Sequence, residues 1–530
     1  MSSEPPVLVV GGRTTGLMMA AELARHGIPV RIIDKSDGID PHCRATFLHS
    51  RTLEIFHTLS FAEEMMAGGQ PLAGWNIFAN GVFVGRSAES AVDSPIPGGI
   101  AQSQAKTEAV LQRHLNRLGV TVERRTELTG LEQNEQRVRA TLRLPAGSQE
   151  ICETPWLIGC DGAHSMVRRL TGNAFPGKAD PWPYLLADVL LDGPLARDDV
   201  YTFLHDDGDL FVFLLDEGRR QLVANVPRDT DISQPPTLEW LQDLVLRRGL
   251  PDLRVSDPRW LTWFRIHYRQ SPHYRHGRTF LAGDAAHVHS LIAGHGMNTG
   301  IQDAYNLAWK LALVIRGVVP ESWLDTYQQE RWQVARNVLN VTRRATESAE
   351  LFASLNPDQR KKMLDHMFVP ECAKVRARRS FEELDLDYGR SPLCLATESG
   401  SRPGVGTQAP DVTGIAVDGS ECTLYGMFGQ TGHRLILFDD RDHGLSTELR
   451  LLAEELSGRH GHWIDVYLVC QHPPDHPAPA GVTWIHDPRR SMRDRYGVEQ
   501  AGLCLVRPDG YIAYRSHQPD SLGAYLNHVL

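Results

Sequence analysis

At 530 residues, with 42% hydrophobic and 23% charged side chains, the chain has the composition of a folded globular protein of roughly two to four domains, not of a disordered or fibrous one. A formal net charge of −10 gives no electrostatic reason to bind nucleic acid or an anionic membrane, so small molecules are the expected partners. The eight cysteines show no C-x-x-C pair or tight metal-ligand spacing and read as reduced, mostly buried thiols. The start "MSSEPPVLVV" has neither a basic segment nor a long apolar stretch, and no apolar run of about 18 residues follows, so a cytoplasmic location without a membrane span is expected.

In chain order, "VLVV" (7–10) reads as a buried strand, "LMMAAELARHG" (17–27) as a helix stopped by glycine, and "PVRIID" (29–34) as a second strand, which together make a βαβ unit. "KTEAVLQRHLNRLG" (106–119) is another amphipathic helix, followed by alternating strands in "VTVERRTELTGLEQ" and "RVRATLRL" that suggest an antiparallel piece. "TPWLIGCDGAHSMVRRL" (154–170) returns to strand, tight turn and helix. From about 180 to 270 short strands such as "YLLADVLL", "VYTFLH", "LFVFLLDEG" and "RQLVANV" predict a mostly antiparallel inserted sheet. Residues 277–317 go back to strand, loop and long helix, with more helix to roughly 383. The Gly-, Ser- and Pro-rich stretch 398–412 reads as a linker, and the remainder as a separate α/β module.

"VGGRTTGL" approximates G-x-G-x-x-G, with Gly11, Gly12, Thr15 and Gly16 in place and Arg13 where the second glycine is expected. That glycine normally lets the backbone approach a pyrophosphate at the helix N-terminus. Asp34 closes the second strand about 20 residues on, where a carboxylate, with Lys35 beside it, can serve the adenosine ribose. Taken alone, these residues also fit an α/β turn that holds nothing. In "AGDAAH", Gly283 ends a strand and Asp284 either presents a carboxylate at the next loop or caps a helix. "GHGMNTG" puts backbone N–H groups and Asn298 at a helix start, a place suited to the electron-rich edge of a ligand. Asp161-Gly162 reads equally as a simple turn, and Arg168 as a solvated helix residue. His287 and His289 form an H-x-H pair without a third ligand at metal spacing, so no metal is expected.

Together, the first βαβ unit, "CDGAHSMVRR" (160–169) and "RTFLAGDAAHVH" (278–289) followed by "GHGMNTGIQDAYNLAWKL" (294–311) resemble the class A flavoprotein monooxygenases. More narrowly they are similar to the FAD- and NAD(P)H-dependent hydroxylases of phenols and aromatic polyketides. The likeness covers almost the whole chain, since "RATFLHSRTLEIF" (44–56) and "LVRPDGYIAYRS" (505–516) match as well. It implies an α/β fold: a Rossmann-like FAD-binding domain with an inserted antiparallel β-sheet substrate domain, plus a C-terminal thioredoxin-like domain without C-x-x-C. The implied division is 1–175 and 276–397 for the FAD-binding parts and a helical segment, 176–275 for the substrate domain, 398–412 for the linker and 413–530 for the C-terminal domain. It also implies roles. Asp284 meets the ribityl chain, Arg44 lies near the pyrophosphate, and Gln104 contacts the cofactor. Asp161 and Gly162 support flavin and nicotinamide, while Met297 and Asn298, after Gly296, serve the pyrimidine edge.

The implied activity is hydroxylation of a small aromatic substrate with O2 through a flavin C4a-hydroperoxide, with NADPH the expected donor and a homodimer the expected assembly. The alternatives are a flavin-supported non-oxidative cyclase and a degenerate binding protein. Two departures from the family pattern bear on the choice. Leu291, Ala293 and His295 stand where the family's loop has proline, glycine and glutamine, which returns a backbone N–H and loosens φ. Arg13 either turns its side chain away or adds a cation to the pyrophosphate, or its Cβ crowds the phosphate. The aromatic residues Tyr201, Phe203, Phe211 and Phe213 are candidates for the substrate pocket, with half of them expected in the core by strand alternation.

Overall fold

The computed structural model describes residues 7–88, 92–96, 98–290, 294–355, 359, 371–396, 403–416, 419–427, 431–439, 447–472, 479–499, 501–518 and 521–530. Val7–Val10, four buried apolar residues, is the centre of a six-stranded sheet. Val30–Ile33 and Leu157–Gly159 flank it in parallel, Val122–Glu123 and Thr279–Leu281 follow outside them, also in parallel, and Arg275–His276 closes one edge antiparallel. Strands covered on both faces need continuous apolar runs, as the central Val7–Val10 and Leu157–Gly159 have. The helix Thr14–Arg25 crosses back between the first two strands, as the βαβ reading requires. Glu127–Gln133, Val138–Arg143 and Gln149–Thr154 form the expected antiparallel piece.

A second sheet of eight strands lies between the parts of the first. Its long members Gly177–Asp192 and Arg254–Gln270 pair antiparallel, followed outward by Arg220–Asn225, Leu210–Leu214 and Asp199–Leu204. Two features differ from the run of short strands read from the sequence. Arg254–Gln270 is one strand of 17 residues, and Leu238–Arg247 is a helix whose Leu241, Leu244 and Val245 pack on Leu185, Ala187, Tyr201 and Phe203. The hairpin Gly74–Ala79 and Val82–Ala88 also joins this sheet, Gly74–Ala79 pairing in parallel with Asp199–Leu204, so the sheet draws strands from before residue 176.

The helix His295–Ile315 has 18 of its 21 residues buried, because it runs between the first sheet and the C-terminal module. That module is a mixed eight-stranded sheet with His433–Phe438 and Ile464–Cys470 parallel at its centre and the hairpin Gly502–Val506 and Ile512–Ser516 beside them. Trp309 and Trp323 pack into its core with Leu435, Trp463 and Tyr514. At the same seam the Glu330 carboxylate accepts from Arg507 at 2.8 Å by both nitrogens, from Lys310 at 2.7 Å, from Asn306 at 2.7 Å and from Ser391 at 2.6 Å. Among the described residues no helix is long and apolar enough to cross a membrane.

Candidate active site

A cavity of about 570 Å³ opens at the C-terminal ends of the parallel strands, the usual ligand position in an open α/β sheet. Gly11, Arg13, Thr15, Asp34, Lys35, Arg44, Gln104, Asp161, Asp284, Gly296 and Met297 all border it. Residues read from seven separate stretches of sequence thus meet in one place. Gly12, Gly16, Gly283 and Asn298 do not line the cavity.

The glycine turn shows why. Gly11 has φ of +108°, and a Cβ there would lie 2.4 Å from the Cys160 carbonyl oxygen, while a Cβ on Gly16 would meet the Gly11 carbonyl oxygen at 1.8 Å. Both positions therefore require glycine. Arg13 is different: φ −98° and ψ −171° are extended backbone open to any residue. Its Nη2 donates to Asp40 Oδ2 at 2.6 Å. Against the cost of desolvation, hydrogen bonds from Arg13 and His42 hold the Asp40 carboxyl down to about 2. Of the two readings of Arg13, the geometry is that of a side chain turned to the cavity rim. Asp34 ties the turn to the second strand, Oδ2 accepting from the Gly12 N–H at 2.5 Å and Oδ1 from the Ser36 N–H at 2.7 Å.

The Asp161 carboxylate is engaged within its own turn, accepting from Ser165 Oγ at 2.5 Å and from the Met166 and Val167 N–H groups at 2.6 and 3.1 Å. Arg168 is not solvated. It is buried and donates to the Ala285 carbonyl at 2.7 Å and the Ala163 carbonyl at 2.7 Å, tying the Asp161 turn to the Asp284 loop. Asp284 is open to the cavity but surrounded by protein, and desolvation pushes its carboxyl above the usual range. Behind it Asp303 accepts from the Gly283 N–H at 3.0 Å, from His287 Nε2 at 2.7 Å and from Arg331 Nε at 2.7 Å. This buried set fixes the loop to the long helix and accounts for the first histidine of H-x-H.

The second, His289, borders the cavity, with its ring 6.4 Å from and nearly parallel to His287. Burial lowers it to about 3, so the ring is neutral. Gln104 opens the helix Gln104–Arg117 and donates to Glu108 Oε1 at 2.8 Å. Asn298 spends its side chain on structure: Oδ1 accepts from the His49 N–H at 3.0 Å, and Nδ2 donates to the Phe47 and Gly294 carbonyls at 2.9 and 2.8 Å. His295 turns away from the cavity, its Nδ1 2.9 Å from Glu383 Oε1. Leu291 and Ala293 lie outside the described residues.

The inserted sheet closes the far wall with Phe213 and Gln221. Tyr201 and Phe203 point to the opposite face and into the core against Leu241 and Leu244, while Phe211 and Phe213 share the inner face. Alternation groups each pair on one face of its strand, but of the four only Phe213 lines the cavity. Gln221, Thr126 and Arg169 also line the cavity, and nothing in their local sequence marks them.

A family model described as the FAD binding domain matches residues 4–342. Over 524 residues the chain is 33% identical to 6-methylpretetramide 4-monooxygenase of Streptomyces rimosus, which covers 97% of this chain and 91% of that protein. The chain belongs to the FAD-dependent aromatic monooxygenase family. Among solved structures, anhydrotetracycline hydroxylase from Streptomyces rimosus superimposes with a TM-score of 0.78 at 28% identity, covering 99% of both chains. Aklavinone-11 hydroxylase, solved in a ternary complex with FAD and aklavinone, gives 0.79 at 25% identity and covers 100% of both.

The residues of this monooxygenase fit FAD. The glycines at 11 and 16 let the turn pack against the Cys160 carbonyl and on itself, which seats the start of the following helix at the cavity with Arg13, Thr14 and Thr15 lining it. The Thr14–Arg25 helix receives no side-chain cap from Arg13, so its N-terminus keeps the partial positive charge that suits a phosphate. A carboxylate stands at each end, Asp34 and Asp284.

Proposed function

We propose that this FAD-dependent monooxygenase uses NAD(P)H and O2 to hydroxylate a phenolic or aromatic polyketide ring. The observation that carries the reading is that one cavity joins the glycine turn and Asp34 at one end to Phe213 and Gln221 of the inserted sheet at the other. Relatives named for 6-methylpretetramide, anhydrotetracycline and aklavinone support a fused-ring aromatic substrate.

When bound, FAD supplies the redox and oxygen chemistry, and the chain supplies placement. Asp34 receives the adenosine ribose. Arg13 and Arg44, both drawn to Asp40, set positive charge beside the pyrophosphate. Asp284 receives the ribityl hydroxyls, and the N-terminus of the His295–Ile315 helix, at Gly296 and Met297, faces the pyrimidine edge. Asn298 serves that edge by fixing the helix start against Phe47 and His49 rather than by touching it. Asp161, Gly162 and Gln104 complete the wall. Phe213 keeps the substrate end apolar and excludes water.

The test is direct. Purified protein should show a flavin absorption spectrum, consume NADPH faster when phenols or naphthols are added, and place oxygen from labelled O2 in the product. Bound FAD that neither NADPH nor NADH reduces with any such ring would overturn the hydroxylase reading.

A further inference from the structure

The tail motif "RPDG" (507–510) lies in the C-terminal module, and among the described residues none beyond Met297 borders the cavity. Yet this turn reaches both elements that shape the flavin end. Arg51, buried in the helix Ser50–Thr58, donates through Nη2 to the Asp509 carbonyl at 2.8 Å, and its guanidinium lies 5.1 Å from the Tyr511 ring centre. From the other side, Tyr305 Oη donates to the Pro508 carbonyl at 3.2 Å, and Asn306 Nδ2 to Asp509 Oδ2 at 3.2 Å. Tyr305 and Asn306 lie about two turns along the helix that starts at Gly296 and Met297.

The helix carrying Arg51 continues the stretch Arg44–Thr46 that lines the cavity. The same two elements are also joined by Asn298, next to the cavity-lining Met297, and the His49 N–H. One link lies behind the cavity wall and the other at the C-terminal turn, so the two elements are held at two points.

We propose that Arg51 is a positioning residue: through the Asp509 carbonyl, the C-terminal module holds the Arg44–Arg51 stretch and the His295 helix at the separation FAD requires. This rests on the cavity being the FAD site. The module then acts on the cofactor without touching it, which gives a domain lacking C-x-x-C a part in holding FAD for the monooxygenase chemistry. The charge-assisted bond is not replaceable by packing, since Arg51 is buried and the carbonyl would lose its donor.

The experiment compares FAD dissociation from full-length wild type, Arg51→Met, Arg51→Lys and His433→Gln, well below each protein's melting temperature. His433→Gln disturbs the same module at its Trp309 and Trp323 contacts, leaving the Arg51–Asp509 bond in place. Arg51→Met should raise the FAD Kd about tenfold or more, the weight of one charge-assisted hydrogen bond, and blur the fine structure of the flavin band. Arg51→Lys, which keeps a cationic donor, should recover most of the affinity. His433→Gln should lower the melting temperature and leave Kd unchanged. Arg51→Met binding FAD within twofold of wild type overturns the proposal, as does an equal loss in His433→Gln. If Arg51→Met does not fold, Tyr305→Phe decides it: it removes the hydroxyl that ties the His295 helix to the Pro508 carbonyl, so weaker FAD binding is expected and affinity within twofold of wild type is the contrary result. A wild type that shows no flavin binding would instead remove the reading of the cavity.

Discussion

The two ends of the His295–Ile315 helix meet buried polar chemistry of opposite kinds. At its start, the cavity presents Asp284, Gly296 and Met297 to a space that a cofactor fills. Towards its end, Asn306 and Lys310 enter a cluster in which Glu330 accepts from four side chains and Arg507 also binds Asp509 at 2.6 Å. Burial alone would raise the Glu330 carboxyl, but Arg507 and Lys310 hold it below its ordinary range, and burial brings Lys310 down to about 8. The difference teaches which polar groups the fold completes by itself and which it leaves for a ligand. A buried charge is tolerable only when paired. The seam satisfies that rule internally, whereas Asp284 faces the open cavity.

Breaking the seam should therefore give the largest effect. Glu330→Gln leaves Arg507 and Lys310 without their shared carboxylate, and removing one partner of a buried ion pair costs about 3–5 kcal/mol. Calorimetry should show a clear fall in melting temperature, and a loss under about 1 kcal/mol would mean that the seam tolerates an unpaired charge.

A smaller effect is expected from acid. Burial, assisted by Arg434 and Arg507, pushes His433 well below its ordinary value, and burial lowers His289 to about 3. Unfolded imidazoles take up protons near pH 6.5, so below that pH the unfolded chain binds protons these two sites refuse. Stability should fall as pH drops from about 6.5. His433→Gln, at the seam against Trp309 and Trp323, should flatten that fall in melting scans between pH 7.5 and 5. An unchanged slope would show that His433 is protonated in the folded protein.

The smallest effect belongs to Arg13. Its bond to Asp40 is partly exposed and contributes on the order of 0–1 kcal/mol, and its backbone is already unstrained. Arg13→Gly should leave stability within about 1 kcal/mol and should not tighten FAD. A tenfold gain in FAD affinity would show that the side chain obstructs the pyrophosphate after all.

Much of the molecule was legible in local sequence. The four-residue strand, the glycine turn and Asp34 announce the βαβ unit because each is dictated over a few residues: sterics at Gly11 and Gly16, and a carboxylate at a strand end. The likeness carried by "CDGAHSMVRR", "AGDAAH" and "GHGMN" named the remaining motifs. It did not show that Asp161 and Asn298 spend their side chains within the scaffold, that Arg168 is buried, or that His295 turns away. Those outcomes depend on neighbours tens to hundreds of residues distant. The helix Leu238–Arg247 went unread because it interrupts a run of strands, and its apolar face becomes meaningful only against the sheet it covers.

By itself, then, the sequence determined the periodicities, the obligatory glycines and the placing of carboxylates at strand ends, all properties of short-range backbone sterics and alternation. Only the tertiary structure decided which polar groups meet. It set Arg13 against Asp40, Arg51 against the carbonyl of Asp509, and Glu330 among four donors, because hydrogen bonds and desolvation act over a few ångströms of space irrespective of distance along the chain.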